Sequence, residues 1–285
     1  MLEMKKYELD TSKKIFLGNN QHIYFVYRIR ALKDFADVRA GDYGGYVTSE
    51  DNLSQYGNCW IYHEAKVVDN ATVKDNAIVR HKATVKGSAI IKEQATVQGH
   101  ATVSRDATVS GKALITDDAI CSGNATVSGH ARLFNKAFVS ENAKLSEHAT
   151  VKDQAKIFGH ATVTNNAFIT DCAIIYGNAI IKNNAHVAED ALVSGKATVA
   201  YNSIITAKAN ITGDAVITSM SDYEVFRNNW SSGRYFTYTK SNKMWKVGCF
   251  YGTGEKLIKK AYADSEISGK SYERYVNFAE QTPNS

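Results

Sequence analysis

The sequence predicts a mainly β protein: a β-helix of short coils, with a small β-rich cap before it and a small α+β domain after it. Three observations carry this. An Ala-x-Val-x-x-x pattern runs from Cys59 to Met220 with no insertion or deletion. Its first position is Ala in 25 of 27 hexads, Cys59 and Ser203 being the exceptions, and its third is Val, Ile or Leu in all but Cys121. After Met220 the composition changes abruptly, 13 of the chain's 30 aromatics falling in residues 221–285.

The elements follow in chain order. Residues 1–58 read as the cap. His22–Arg30 alternates apolar and polar side chains as a strand does, and Gly41-Asp-Tyr-Gly-Gly45 reads as a turn. For residues 59–220, a period of six excludes a helix, whose apolar stripe returns every 3.6 residues, but suits short strands whose first and third residues point inward together. The fifth position is Gly, Asp or Asn in 17 of 27 hexads, residues that accept the positive φ of a tight turn. Strands bent every six residues must coil, and stacked coils pair their backbones at about 4.8 Å. Three hexads per turn give nine coils of 18 residues. In residues 221–285, Tyr235–Thr239 and Met244–Phe250 read as two strands around the turn Ser241-Asn242-Lys243. Thr253 caps a helix over 255–263, and a second helix covers 272–280.

Hexads such as Val73-Lys-Asp-Asn-Ala77-Thr resemble the repeat of the left-handed β-helix acyltransferases. The resemblance implies a triangular coil, left-handedness and a homotrimer. The stretch from Arg30 through Gly44-Gly45 to Leu53-Ser-Gln-Tyr-Gly-Asn-Cys-Trp-Ile-Tyr62 is similar to the N-terminal segment of bacterial and phage hexapeptide proteins grouped with those enzymes. Gly248–Thr253 resembles part of a small ββα module of phage and prophage proteins.

Composition narrows the class without naming a function. At 44% hydrophobic and 22% charged, the chain is not a disordered one. No apolar run approaches the roughly 20 residues of a membrane helix, and residues 1–10 are too polar for a signal peptide, so a cytoplasmic protein is expected. Cys59, Cys121, Cys172 and Cys249 form no CxxC pair, which points to reduced thiols. A net charge of +5 is mild for this length.

Histidine is the usual base in the acyltransferases that the repeat resembles, commonly on a loop extruded from the coil, and this repeat has no such loop. His63, His81, His100, His130, His148 and His160 occupy corners, where they alternate with other polar residues. His63 with His81, and His130 with His148, are 18 residues apart and should stack, but two ligands do not make a transition-metal site, and no metal is expected. His186 stands at an outward mid-strand position beside Phe168 and Ile204, and is the candidate catalytic base. Sorting outward positions modulo 18 gathers Ile120, Phe138, Phe158, Ile174, Tyr176 and Leu192 on one face, an apolar stripe that reads as a subunit interface. Lys243, Trp245, Lys246 and Tyr251 interleave charge and aromatic rings and are read as a partner-binding patch. Glu255, Asp264 and Glu266 dilute that patch, so nucleic acid is not expected. No phosphate-loop, nucleophile-elbow or dinucleotide fingerprint occurs.

The unbroken repeat favours a non-catalytic binding or scaffold protein, phage-type by resemblance, engaging a host protein or a small molecule and needing no cofactor. The alternative is a CoA-dependent acyltransferase using acetyl-CoA and His186. A phage structural component is the third reading.

Overall fold

The structure, a computed structural model, describes residues 5–19 and 22–281. Two compact units divide the chain at 154/155, inside the repeat.

In the first unit, Tyr7–Asn19 and His22–Ala31 form an antiparallel hairpin with a register shift between Asp10 and Lys14. The first of these strands escaped the sequence reading because its Asp-Thr-Ser-Lys-Lys stretch has no alternation. The glycines of the expected turn do something else. Only Gly41 (φ 95°) turns the chain; Gly44 and Gly45 lie within the strand Tyr43–Val47, where a Cβ would collide with Ile29 and the Ile61 carbonyl, or with Ile61 and the Ala65 carbonyl. That strand pairs antiparallel with His22–Ala31 and parallel with the hexad strand Lys66–Val67. The cap is thus continuous with the coils.

From Trp60–Ile61 onward each hexad contributes a two-residue strand that pairs in parallel with the strand 18 residues later, as Thr72–Val73 does with Ile90–Ile91. Three hexads therefore close one coil, as the period predicts. First- and third-position side chains such as Ala125 and Val127 are fully buried, and the outward second positions are half-buried or exposed. Every fifth position from His63 to Gly213 has positive φ, including Arg105, Tyr201 and Ala207, for which that conformation is unfavourable. A ladder accounts for many of the non-glycine corners: Asp69 Oδ2 accepts the Gly87 N–H at 2.9 Å, and Asp75, Glu93 and Asp117 likewise accept the corner amide one coil on. The acidic corner residues supply an acceptor to a turn amide as well as tolerating its φ.

The edge of the first coil is covered from the cap. Asn52 Nδ2 donates to the Asp69 and Ala71 carbonyls at 2.9 and 2.8 Å. Fully buried Lys6 donates to the Cys59 carbonyl at 3.0 Å, with Cys59 Sγ 3.3 Å away. An open sheet edge would leave these groups unpaired.

The second unit continues the coils from Lys156–Ile157 to Val216–Ile217 and adds an antiparallel sheet, Tyr223–Arg227, Tyr235–Thr239, Met244–Val247 and Phe250–Thr253, paired in that order. Helices α1 (Gly254–Asp264) and α2 (Glu266–Gln281) cover one side of it. Phe236, Tyr238 and Trp245 face Leu257, Ala261, Tyr272 and Val276 in one core. The two-strand expectation is corrected: Tyr223–Arg227 is an additional strand, and Gly248 at φ 54° breaks the stretch 244–250 into a turn and a fourth strand. Thr253 caps α1 as expected, its side chain accepting the Lys256 N–H. α2 begins at Glu266 and runs through Gly269, where a Cβ would strike the Tyr262 ring. Among the described residues no helix is long and apolar enough to cross a membrane.

Candidate functional site

His186 lies in the two-residue strand His186–Val187, between Phe168 and Ile204 on the strands paired with it. Its half-buried ring packs against Phe168, centroids 5.1 Å apart. His186 Nε2 is 3.3 Å from Thr170 Oγ1, and that hydroxyl donates to Asp171 Oδ2 at 3.0 Å. With the hydroxyl proton directed at the carboxylate, Nε2 is the nitrogen that donates to Thr170. Thr170 is only 4% exposed, so the hydroxyl cannot swing into water, and Asp171 is tied in turn to the Glu189 N–H at 3.0 Å. A carboxylate, a hydroxyl and an imidazole thus form one chain, an arrangement that fixes a ring's tautomer and orientation. Thr170 and Asp171 were not singled out from the sequence, although the modulo-18 register sets Thr170 in the hexad of Phe168, directly across from that of His186.

The six corner histidines remain at the corners. His63 and His81 stack at 5.5 Å, and His130 and His148 at 4.8 Å. Among the described residues no group of three or more His, Cys, Asp and Glu side chains comes together to hold a metal ion.

The residues of the apolar stripe fall in both units. In the first, Ile120 pairs directly with Phe138. In the second, Ile174 pairs with Leu192, and Phe158 stacks on Tyr176 at 5.3 Å and 15°. Exposed Lys156, opposite Ile174, breaks the apolar run there.

The C-terminal patch is only partly a surface. Trp245 is corrected as a partner-binding residue: it is fully buried, stacks on Tyr238 at 4.7 Å and donates from Nε1 to Glu280 Oε1 at 3.0 Å. Alternation along Met244–Val247 turns it toward the helices and its neighbour Lys246 to the other side. Tyr251 is 38% exposed, but its hydroxyl is held by the Asp214 backbone and by Asn242 Nδ2 and lies over Gly213. Lys243 is exposed at the turn, with φ 54°.

No family model matches the chain. Over 74 residues, a quarter of its length, it is 35% identical to the uncharacterized acetyltransferase YdcK of Escherichia coli (strain K12), and that match spans 22% of the relative. Among solved structures it is similar to LpxA from Acinetobacter baumannii at 12% identity and a TM-score of 0.32, over 74% of this chain and 95% of that one. Its unbroken hexads and their 18-residue coils make the chain a hexapeptide-repeat protein of the left-handed β-helix kind.

Proposed function

We propose that the protein is a CoA-dependent acyltransferase, working as a homotrimer, with His186 as its general base. The observation that carries the reading is the hydrogen-bonded chain His186–Thr170–Asp171 on an outward strand, and the local likeness to a relative named as an acetyltransferase supports it. This reverses the weight given by the sequence, where the lack of an extruded loop favoured a scaffold.

The chemistry asked of His186 is limited. The imidazole takes the proton of an acceptor hydroxyl or amine as that group attacks the thioester carbonyl. The carbon–sulfur bond breaks, and the imidazolium returns the proton to the departing thiolate. Thr170 and Asp171 touch no substrate in this scheme; they hold the ring. A trimer supports the reading because a single outward strand face makes no pocket, whereas two neighbouring subunits can enclose one. The stripe Ile120, Phe138, Phe158, Ile174, Tyr176 and Leu192 would supply the apolar contact.

The test is release of thiol from acetyl-CoA in the presence of a panel of hydroxyl and amine acceptors. Release that needs both the acceptor and the protein supports the enzyme, and no release with any acceptor sinks it. The second reading, a non-catalytic binding protein, is favoured by one observation, that every hexad from Cys59 to Met220 is of the same length. A co-purifying ligand from an inactive protein would select it.

A further inference from the structure

A cleft of about 540 Å³ opens between the last coil and the side of the C-terminal sheet that faces away from the helices. It is lined by Lys208 and Asn210 from the coil and by Arg227, Arg234, Tyr235 and Lys246 from the sheet. The placement follows from strand alternation. Phe236 and Tyr238 point into the helical core, so Tyr235 and Thr237 point the other way, and Arg227 and Lys246 are their direct partners across the ladder.

We infer that this cleft binds a nucleotide, its phosphates held by Arg227, Arg234 and Lys246 and its base lying on Tyr235. Three features of the cleft lead there. Four cationic side chains converge on it and its lining contains no carboxylate; the nearest is Asp190, whose Oδ2 is 4.0 Å from Lys208 Nζ. Like charges gathered on one concave surface repel one another and concentrate an anionic ligand. Arg227 is partly set for this, its Nε donating to the Gly233 carbonyl at 3.3 Å.

The second feature is an aromatic platform. Tyr235 is 40% exposed, with Lys208 Nζ 5.6 Å and Arg227 Cζ 5.8 Å from its ring centroid. A ring flanked by cations is the arrangement that accepts a base on its face while its phosphates are neutralised alongside. The third feature separates a nucleotide from a bare anion. Asn210 Oδ1 is buried and has no hydrogen-bond partner among the described residues, while the Asn210 backbone N–H is already taken by Thr237 Oγ1 at 2.9 Å. A buried amide oxygen needs a donor, which a base amine or a sugar hydroxyl provides and a fully ionised phosphate does not.

This site belongs to the C-terminal sheet and does not depend on the transfer reading. The same nucleoside diphosphate chemistry could come from a free nucleotide or from the nucleotide end of CoA, and calorimetry on the full chain with ADP, CoA and inorganic pyrophosphate as separate probes distinguishes them. ADP or CoA should bind, more weakly as salt is raised, and pyrophosphate should bind at least tenfold less tightly. Arg227→Gln combined with Arg234→Gln, both at exposed positions, should weaken binding at least tenfold with an unchanged melting temperature. Tyr235→Leu should weaken ADP but not pyrophosphate. CoA binding tenfold tighter than ADP would name CoA as the source; equal affinities would name the free nucleotide. The inference is overturned by no ADP or CoA binding at low salt, or by equal binding of pyrophosphate. Equal weakening in the control Lys259→Gln with Lys260→Gln, on α1, overturns it too, as does a ten-residue oligothymidylate binding tenfold tighter than ADP.

Discussion

The Asn210 backbone N–H donates to Thr237 Oγ1 at 2.9 Å, so a side chain of the C-terminal sheet takes the place that a further coil's carbonyl would occupy. Val216 does the same with Ser241 Oγ at 2.8 Å, Thr218 with Asp222 Oδ2, and the Ile204 carbonyl accepts from the Tyr223 hydroxyl at 3.0 Å. The last edge of the coil is therefore closed by side chains rather than strands. Thr237 is 1% exposed, and Thr237→Val, which keeps the shape and removes the acceptor, is expected to cost about 1 to 3 kcal/mol in a denaturant melt. Ser241→Ala, at an exposed position where water can replace the hydroxyl, should cost less than about 1 kcal/mol. Equal costs would mean that the edge is not sealed at Thr237.

The inward columns should tolerate far less than the outward positions between them. Val127→Asp buries a carboxylate with no partner and should cost several kcal/mol, and Ala125→Leu overpacks a closed column by roughly 1 to 3 kcal/mol. Thr126, outward, pairs with Thr108 and with Lys144. Thr126→Glu should therefore be close to neutral, while Thr126→Lys, which sets two cations side by side, should be the worse of the two by roughly 0.2 to 1 kcal/mol. An outward change as damaging as Val127→Asp would overturn this register.

The coils were legible because one side-chain pattern repeats under one constraint, burial of positions one and three. The period alone gives the 18-residue pairing of Thr72 with Ile90. The ends were less legible, since there each residue answers to a single local need. Gly44 and Gly45 look like turn residues but sit in a strand because Ile29 and the Ile61 and Ala65 carbonyls leave no room for a Cβ. Trp245 looks like a surface aromatic among lysines, yet the alternation of its strand turns it into the core. At the candidate site, His186 was visible as an outward histidine. Thr170 and Asp171 were not, because a Thr-Asp pair is ordinary at these corners and becomes informative only once the imidazole lies across from it.

Cys121 stands in a column where both its partners, Val103 and Val139, are valines. Full burial pushes its thiol from 9.0 up to about 12. A folded-state value raised above the unfolded one gives stability that is whole below pH 9 and is lost as pH rises toward 12, because only the unfolded chain then releases the proton. Cys121→Val removes that dependence. Measured against the variant at each pH, so that other titrations cancel, the wild type should lose about 1.4 kcal/mol by about pH 10, the equivalent of one pKa unit. A constant difference across that range would show that the thiol ionises within the fold.

Phe158 and Tyr176 stack face to face while remaining half-buried, leaving apolar surface for a second subunit to cover. Each large apolar side chain removed from water contributes roughly 1.5 to 3 kcal/mol, so Phe158→Glu with Tyr176→Glu should dissociate the assembly. Light scattering should give the mass of three subunits for the wild type and of one for the variant. A wild type that runs as a single subunit ends the trimer proposal, and a variant that stays trimeric moves the interface elsewhere.

The sharpest division between enzyme and scaffold lies in how His186 and Thr170 should differ. His186→Gln keeps a side-chain amide near Thr170 but has no group to take a proton, so thiol release from acetyl-CoA should fall by about 10² to 10⁴, the contribution of one general base. Thr170 acts only through the ring. Thr170→Val removes the hydroxyl between Nε2 and Asp171, and should lower kcat with KM unchanged, since acceptor and thioester bind as before. Thr170→Ser restores the hydroxyl and should restore kcat. A merely structural role for Thr170 would instead lower the melting temperature in the Val variant without splitting kcat from KM. Thiol release that survives in His186→Gln would remove His186 from the mechanism, because no proton acceptor would remain at the head of that hydrogen-bonded chain.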